Sequence, residues 1–167
     1  TNTNQVTGVI AYHTGINGTY TANCDYKVYG VGSNGLPGTE LGKKSVSGSS
    51  LDISGKAVHT SFASPINVKD SFIITFNLGD YAHHSPGTKK IALMHSPDGS
   101  RSVNDTTVFG RNVIRWHNHT PTWKDFYKEN STKVRTHFAI FPVLAMQNVS
   151  VKDFASNGRI KMFALYP

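Results

Sequence analysis

The stretch Phe72-Ile73-Ile74-Thr75-Phe76-Asn77-Leu78 decides the fold class of this chain. Successive side chains of a strand point to opposite faces, so Phe72, Ile74, Phe76 and Leu78 share one side and Thr75 and Asn77 the other. That is the signature of a half-buried strand with one face on a core. Working outward, segments at 6–12, 25–31, 40–46, 57–62, 89–94, 111–116 and 134–141 are short strand candidates closed by clusters of Gly, Pro, Asn or Ser. With 72–78 they predict eight strands. No long helix competes with them: Trp123 to Asn130 mixes aromatic and charged residues in a way that suits a loop or a single helical turn equally.

The connections carry their own turn chemistry. Gly32-Ser33-Asn34-Gly35-Leu36-Pro37-Gly38, Ser47-Gly48-Ser49-Ser50, Ser85-Pro86-Gly87 and Ser96-Pro97-Asp98-Gly99 supply glycine for positive φ and proline to preset a turn. A parallel sheet would need crossover helices between its strands, and the sequence offers none. The fold class expected is therefore all-β, an antiparallel β-sandwich of jelly-roll or Greek-key type. Phe138 and Ile140 are expected to join Phe72, Ile74, Phe76 and Leu78 in its core.

Composition sets the outer limits. The 167 residues suffice for one domain with a real core. Only 16% of them are charged, and 15 Gly and 7 Pro favour short strands and turns over amphipathic helices. No run approaches the roughly 18 to 20 apolar residues that span a bilayer, so membrane insertion is not expected. Cys24 stands alone, which leaves no internal disulfide and no four-cysteine zinc site, and it is expected to be a buried or half-buried thiol. The net charge of +7 is uneven: residues 1–80 hold five basic and five acidic residues, and 81–167 hold twelve basic and five acidic. Such asymmetry suits an anionic partner. The basic residues are nonetheless single or in the pairs Lys43-Lys44 and Lys89-Lys90, so no nucleic-acid partner is expected.

Eight histidines raise the question of metal or acid–base work. His117 and His119 would share a strand face, but no third ligand is evident nearby and Thr120-Pro121 ends the strand. His83 and His84 are adjacent in a loop, where side chains diverge. There is no Gly-x-Ser-x-Gly elbow, no His-Glu-x-x-His helix and no Asp-x-Asp-x-Asp-Gly calcium loop. The aspartates mostly sit beside turn residues, where capping explains them. No catalytic residue, metal or cofactor is therefore assigned. A hydrolase remains the rival of another class, because Ser, His and Asp residues scattered in sequence can meet in space.

The better candidate is an aromatic and basic group in the second half: Tyr81, His83, His84, Arg115, Trp116, His117, His119, Trp123 and Tyr127. Exposed aromatic faces stack on sugar rings, and Arg and His hydrogen-bond hydroxyl or anionic groups. The ligand site is expected to centre on Trp123, with Tyr81, His117, His119 and Tyr127 as neighbours. Thr120-Pro121-Thr122 leaves the preceding strand and is expected to carry the indole into a loop. The alternative is that Trp116 and Trp123 serve packing.

Tyr26-Lys27-Val28-Tyr29, Gly35-Leu36-Pro37-Gly38-Thr39-Glu40-Leu41, Phe62-Ala63-Ser64-Pro65-Ile66-Asn67-Val68, Trp123 and Phe138-Ala139-Ile140-Phe141-Pro142-Val143 follow one another in an order that resembles a jelly-roll accessory domain of secreted bacterial multidomain proteins. Leu165-Tyr166-Pro167 is similar to the opening of a type IX secretion C-terminal sorting domain, which commonly reads Leu-Tyr-Pro-Asn-Pro. The resemblance implies an accessory module over 1–145 and a junction segment over 146–167 leading to a sorting domain. It further implies a secreted or cell-surface location and neighbouring domains of a parent chain as partners. The function expected is a non-catalytic module that binds carbohydrate or an anionic surface polymer, or mediates adhesion; the alternative is a structural spacer between a catalytic domain and the sorting signal.

Overall fold

The structure, a computed structural model, describes residues 4–16, 22–69, 71–79, 90–99, 112–115, 122–126 and 136–145. Among the described residues nine strands follow in chain order: β1 (Asn4–Ile16), β2 (Asn23–Val31), β3 (Pro37–Ser47), β4 (Ser54–Val68), β5 (Phe72–Leu78), β6 (Lys90–Leu93), β7 (Val113–Arg115), β8 (Trp123–Asp125) and β9 (Ile140–Leu144). One 3-10 turn, Gly48–Ser50, closes β3. Among the described residues there is no α-helix, and so none long and apolar enough to cross a membrane.

Every strand pairing is antiparallel. Strand β1 is the axis of a four-stranded sheet, with β4 along one edge and β9 and then β6 along the other. Strand β2 is the centre of a three-stranded sheet in the order β3-β2-β5, and β7 and β8 form a separate two-stranded ribbon. The chain changes sheets between β1 and β2, β3 and β4, β4 and β5, and β5 and β6, and one core cluster drawn from both larger sheets sets them face to face. The molecule is an all-β sandwich.

The core lies between the sheets. Val6, Val9 and Ala11 of β1 and Phe62, Ile66 and Val68 of β4 meet Tyr26 and Val28 of β2, and Phe72, Ile74, Phe76 and Ile140 pack on this group half-buried. Leu78 packs on a smaller cluster of Cys24, Leu51 and Ile91. The alternation of 72–78 therefore points the expected way, and Cys24 is buried. Sheet separation is set locally by Gly42: a Cβ there would stand 2.6 Å from Ile66 Cδ1, so the absent side chain is what lets Ile66 reach across. The turn at Gly35 works as its composition requires, with φ of 76° and Gly35 N–H donating to Gly32 O at 2.9 Å.

Four expectations are corrected. Strand β4 does not stop at residue 62 but runs through Pro65 to Val68. Proline is tolerated there because β4 is an edge strand and its register with β1 shifts between Val6 and Gly8, so Pro65 sits in the irregular stretch. Of the 134–141 candidate, 134 and 135 lie outside the described residues, and the strand among those described is 140–144; Phe138 is half-buried and makes an isolated bridge to His95. Residues 123–125 are a strand. Thr75, on the side expected to face solvent, is 8% exposed and donates its hydroxyl to Asn77 Oδ1 at 2.6 Å. At the far end Ala145 N–H donates to Gln5 O at 2.8 Å, and the junction segment 146–167 lies outside the described residues.

Candidate functional site

Alternation along β2 puts Cys24, Tyr26 and Val28 inward, and Asp25, Lys27 and Tyr29 on the outer face of the β3-β2-β5 sheet. That outer face is polar and hydrogen-bonded across strands. Ser45 on β3 donates to Asp25 Oδ1 at 2.5 Å, and Lys27 Nζ donates to Glu40 Oε2 at 3.0 Å. The Lys27–Glu40 pair is a diagonal one, made possible by the register shift that sets Glu40 opposite Tyr29. Its hydrogen bond holds the Lys27 ammonium above the ordinary lysine range.

Tyr29 is only 6% exposed although it faces away from the core. Trp123 of the β7–β8 ribbon packs against it: the rings meet edge-on, with centroids 5.6 Å apart and planes at 71°. Arg115, directly opposite Trp123 in the ribbon, sets its guanidinium carbon 5.8 Å from the indole centroid, within cation–π range. The burial pushes the Tyr29 phenol up, while the positive charges of Lys27 and Arg115 act against it. The ribbon is tied down at its other end as well. Phe126 stacks on Phe138 at 5.9 Å, Phe126 N–H donates to Asn112 O at 3.0 Å, and the Asn112 side-chain amide donates to Thr136 O.

Trp123 is thus half-buried in strand β8, and not on a loop as its Thr-Pro-Thr approach suggests. The reason is tertiary: Tyr29 offers a ring edge, and pairing with Arg115 extends the local backbone. Tyr81, His117, His119 and Tyr127, its expected neighbours, lie outside the described residues, as do His83, His84 and Trp116. What the structure brings to Trp123 is Arg115 from the expected group together with Tyr29, which was not expected there; Lys27, Glu40 and Asp25 lie along the outer face of β2 and β3. Asp25 is a mid-strand residue, not a turn residue. Asp52 does cap a turn, accepting from Ser54 N–H at 2.8 Å.

A second polar feature is internal. His13 on β1 and Tyr26 on β2 are both fully buried, and His13 Nε2 lies 2.5 Å from Tyr26 Oη across the sheets, with Phe76 4.6 Å from the imidazole centroid. His13 Nδ1 has no hydrogen-bond partner among the described residues. Desolvation pushes the His13 pKa below its ordinary value, partly offset by the Ala92 backbone, and raises the Tyr26 phenol to about 12. This pair is enclosed and offers nothing to a ligand. Among the described residues no group of three or more His, Cys, Asp or Glu side chains could hold a metal ion. Comparison with protein-family models, with curated proteins and with solved structures gives no match.

Proposed function

We propose that the chain is a non-catalytic, extracellular accessory module of a larger secreted bacterial protein, and that it binds carbohydrate or another surface polymer through Trp123. The single observation that carries the reading is the Tyr29–Trp123–Arg115 stack. In it a half-buried indole packs on Tyr29, whose sheet face carries hydrogen-bonding side chains. A pre-positioned aromatic beside donors and acceptors is what stacking on a sugar ring requires. The secreted location and the sorting-domain context of 146–167 rest on the order of motifs in the sequence. They make neighbouring domains of the parent chain its other partners.

The competing reading is a structural spacer, and it draws on the same contact: Trp123 covers Tyr29, so the indole has packing work of its own. A glycan array with the isolated domain, repeated with Trp123→Ala, separates the two. The binding reading expects retention of at least one glycan class by the wild type and its loss, about thirtyfold or more in affinity, in a folded variant. Retention of no glycan by the wild type sinks the binding reading and leaves the spacer.

A further inference from the structure

The four-stranded sheet around β1 has an outer face of its own, on the side of the sandwich away from Tyr29. Val9 and Ala11 of β1 and Ile140 of β9 point to the core, so alternation puts Ile10, Tyr12, Phe141 and Val143 outward. Phe141 stands opposite Ile10 and meets the Tyr12 ring edge-on at 6.3 Å. Met94 follows core-facing Leu93 and joins them, its N–H donating to Tyr12 O at 2.9 Å. Phe141 is 51% exposed and Met94 39%, and Ile10, Tyr12 and Val143 are half-buried. Contiguous apolar surface of this kind is characteristic of a docking face.

Chain able to cover it begins beside it. Strand β9 ends at Leu144 opposite Val6, and Ala145 N–H donates to Gln5 O at 2.8 Å, so the chain leaves at the Val6 end of this sheet. Residues 146–167 follow, and they contain Asn157-Gly158, the pair that a two-residue hairpin turn demands. Pairing outward from that turn sets Ala155 opposite Ile160, Asp153 opposite Met162, Val151 opposite Ala164 and Val149 opposite Tyr166, all on one side. Seven of those eight residues are apolar, whereas the other side mixes Lys152, Arg159 and Lys161 with Phe154, Phe163 and Leu165. An isolated two-stranded hairpin is marginal in water, so its apolar side needs a surface. The dimensions agree. Val6 to Tyr12 and Val149 to Ala155 are both six residue steps, about 20 Å at ~3.3 Å each. The four steps from Ala145 to Val149 reach up to about 14 Å, enough for the ~10 Å between stacked sheets.

We infer that residues 149–166 form a β-hairpin whose apolar side docks on the outer face of the β1 sheet, over Ile10, Tyr12 and Phe141, as a third layer. The module then extends beyond residue 145. Asp153, the one acid on the docking side, meets a face on which His59 is exposed opposite Ile10. This contact lies across the sandwich from the Tyr29–Trp123 pair and does not depend on glycan binding there.

Hydrogen exchange of the full chain, read by mass spectrometry, tests it in wild type, Phe141→Lys and Met94→Lys. Both substitutions are at exposed positions, and exchange in β2 and β5 reports whether the sandwich is intact; Met94→Lys reads the same face should Phe141→Lys unfold. Slow exchange is expected in 149–155 and 160–166 of the wild type. Each substitution should speed it about tenfold or more while β2 and β5 stay protected, the size expected when a lysine replaces an apolar side chain at a local contact. Fast exchange throughout 146–167 in the wild type overturns the inference and leaves that segment a junction. Protection that neither substitution changes overturns it too, because the hairpin then packs elsewhere. Protection that is lost on dilution also overturns it, and puts a second copy of the chain on this face.

Discussion

Tyr26 and Tyr29 stand three positions apart on the same strand, are both nearly inaccessible to solvent, and are buried by unrelated means. Tyr26 points inward, its hydroxyl against His13 of the opposing sheet and its ring 5.3 Å from Phe76 on the neighbouring strand β5. Tyr29 points outward and packs against Trp123 of the small ribbon, which Arg115 overlies. The first burial is part of the core and comes with folding of the sandwich. The second involves a two-stranded ribbon outside the two larger sheets, so it can be weakened without dissolving the sandwich. Burial fraction alone does not separate a structural aromatic from one at a site; the element that does the covering does.

The largest effect that this comparison predicts is at Tyr26. Tyr26→Ala should cost about 3–5 kcal/mol in denaturant unfolding, the range for deleting a large aromatic from a core. A loss under about 1 kcal/mol would put Tyr26 and Tyr29 in the same class and break the distinction.

A pH effect should follow, confined to the inner region. The folded-state pKa of His13 lies below its ordinary 6.5, so the unfolded chain takes up this proton more readily than the folded one. The stability contributed by neutral His13 is therefore complete above 6.5 and is lost progressively as pH falls from 6.5 towards the lower folded value. Unfolding midpoints measured from neutral to mildly acidic pH should decline in wild type and flatten in His13→Phe. An identical slope in both would remove His13 as the cause.

The smallest effect should be at the outer ion pair. Lys27 and Glu40 are 18% and 38% exposed at their side chains, and solvent screening limits such a pair to about 0.2–1 kcal/mol. A double-mutant cycle with Lys27→Met and Glu40→Gln reads that coupling directly. A value above about 2 kcal/mol would make the outer face a structural network and not a polar surface ready for exchange with a ligand.

The inner region was the more legible in the sequence, and the reason is range. Alternation in 72–78 and in 25–31 is a local property that directs Phe76, Ile74, Tyr26 and Val28 inward whatever the rest of the chain does. The 57–62 candidate fell short of Val68, where the edge position and register shift of β4 accommodate Pro65 within the strand. Strand β8 was missed because Trp123-Lys124-Asp125 is too short to show alternation and is extended by pairing with β7. Of the proposed outer site, only Trp123 and Arg115 were legible. Tyr29 reads by alternation as a solvent-facing residue beside Lys27, and nothing within β2 announces the ribbon that covers it. The Lys27–Glu40 pair was hidden in turn by the one-residue shift between β2 and β3 that brings the two side chains together.

The central claim is that Trp123 is held for binding more than for stability, and the most direct test measures both quantities on one variant. Trp123→Ala is compared with wild type by denaturant unfolding and by titration with the tightest-binding glycan found for the wild type. The account predicts a folded sandwich that loses about 1–2 kcal/mol, well short of a full core aromatic, together with a loss of affinity of about thirtyfold or more. A loss of stability equal to that of Tyr26→Ala with glycan affinity unchanged would contradict it and make the indole a packing residue.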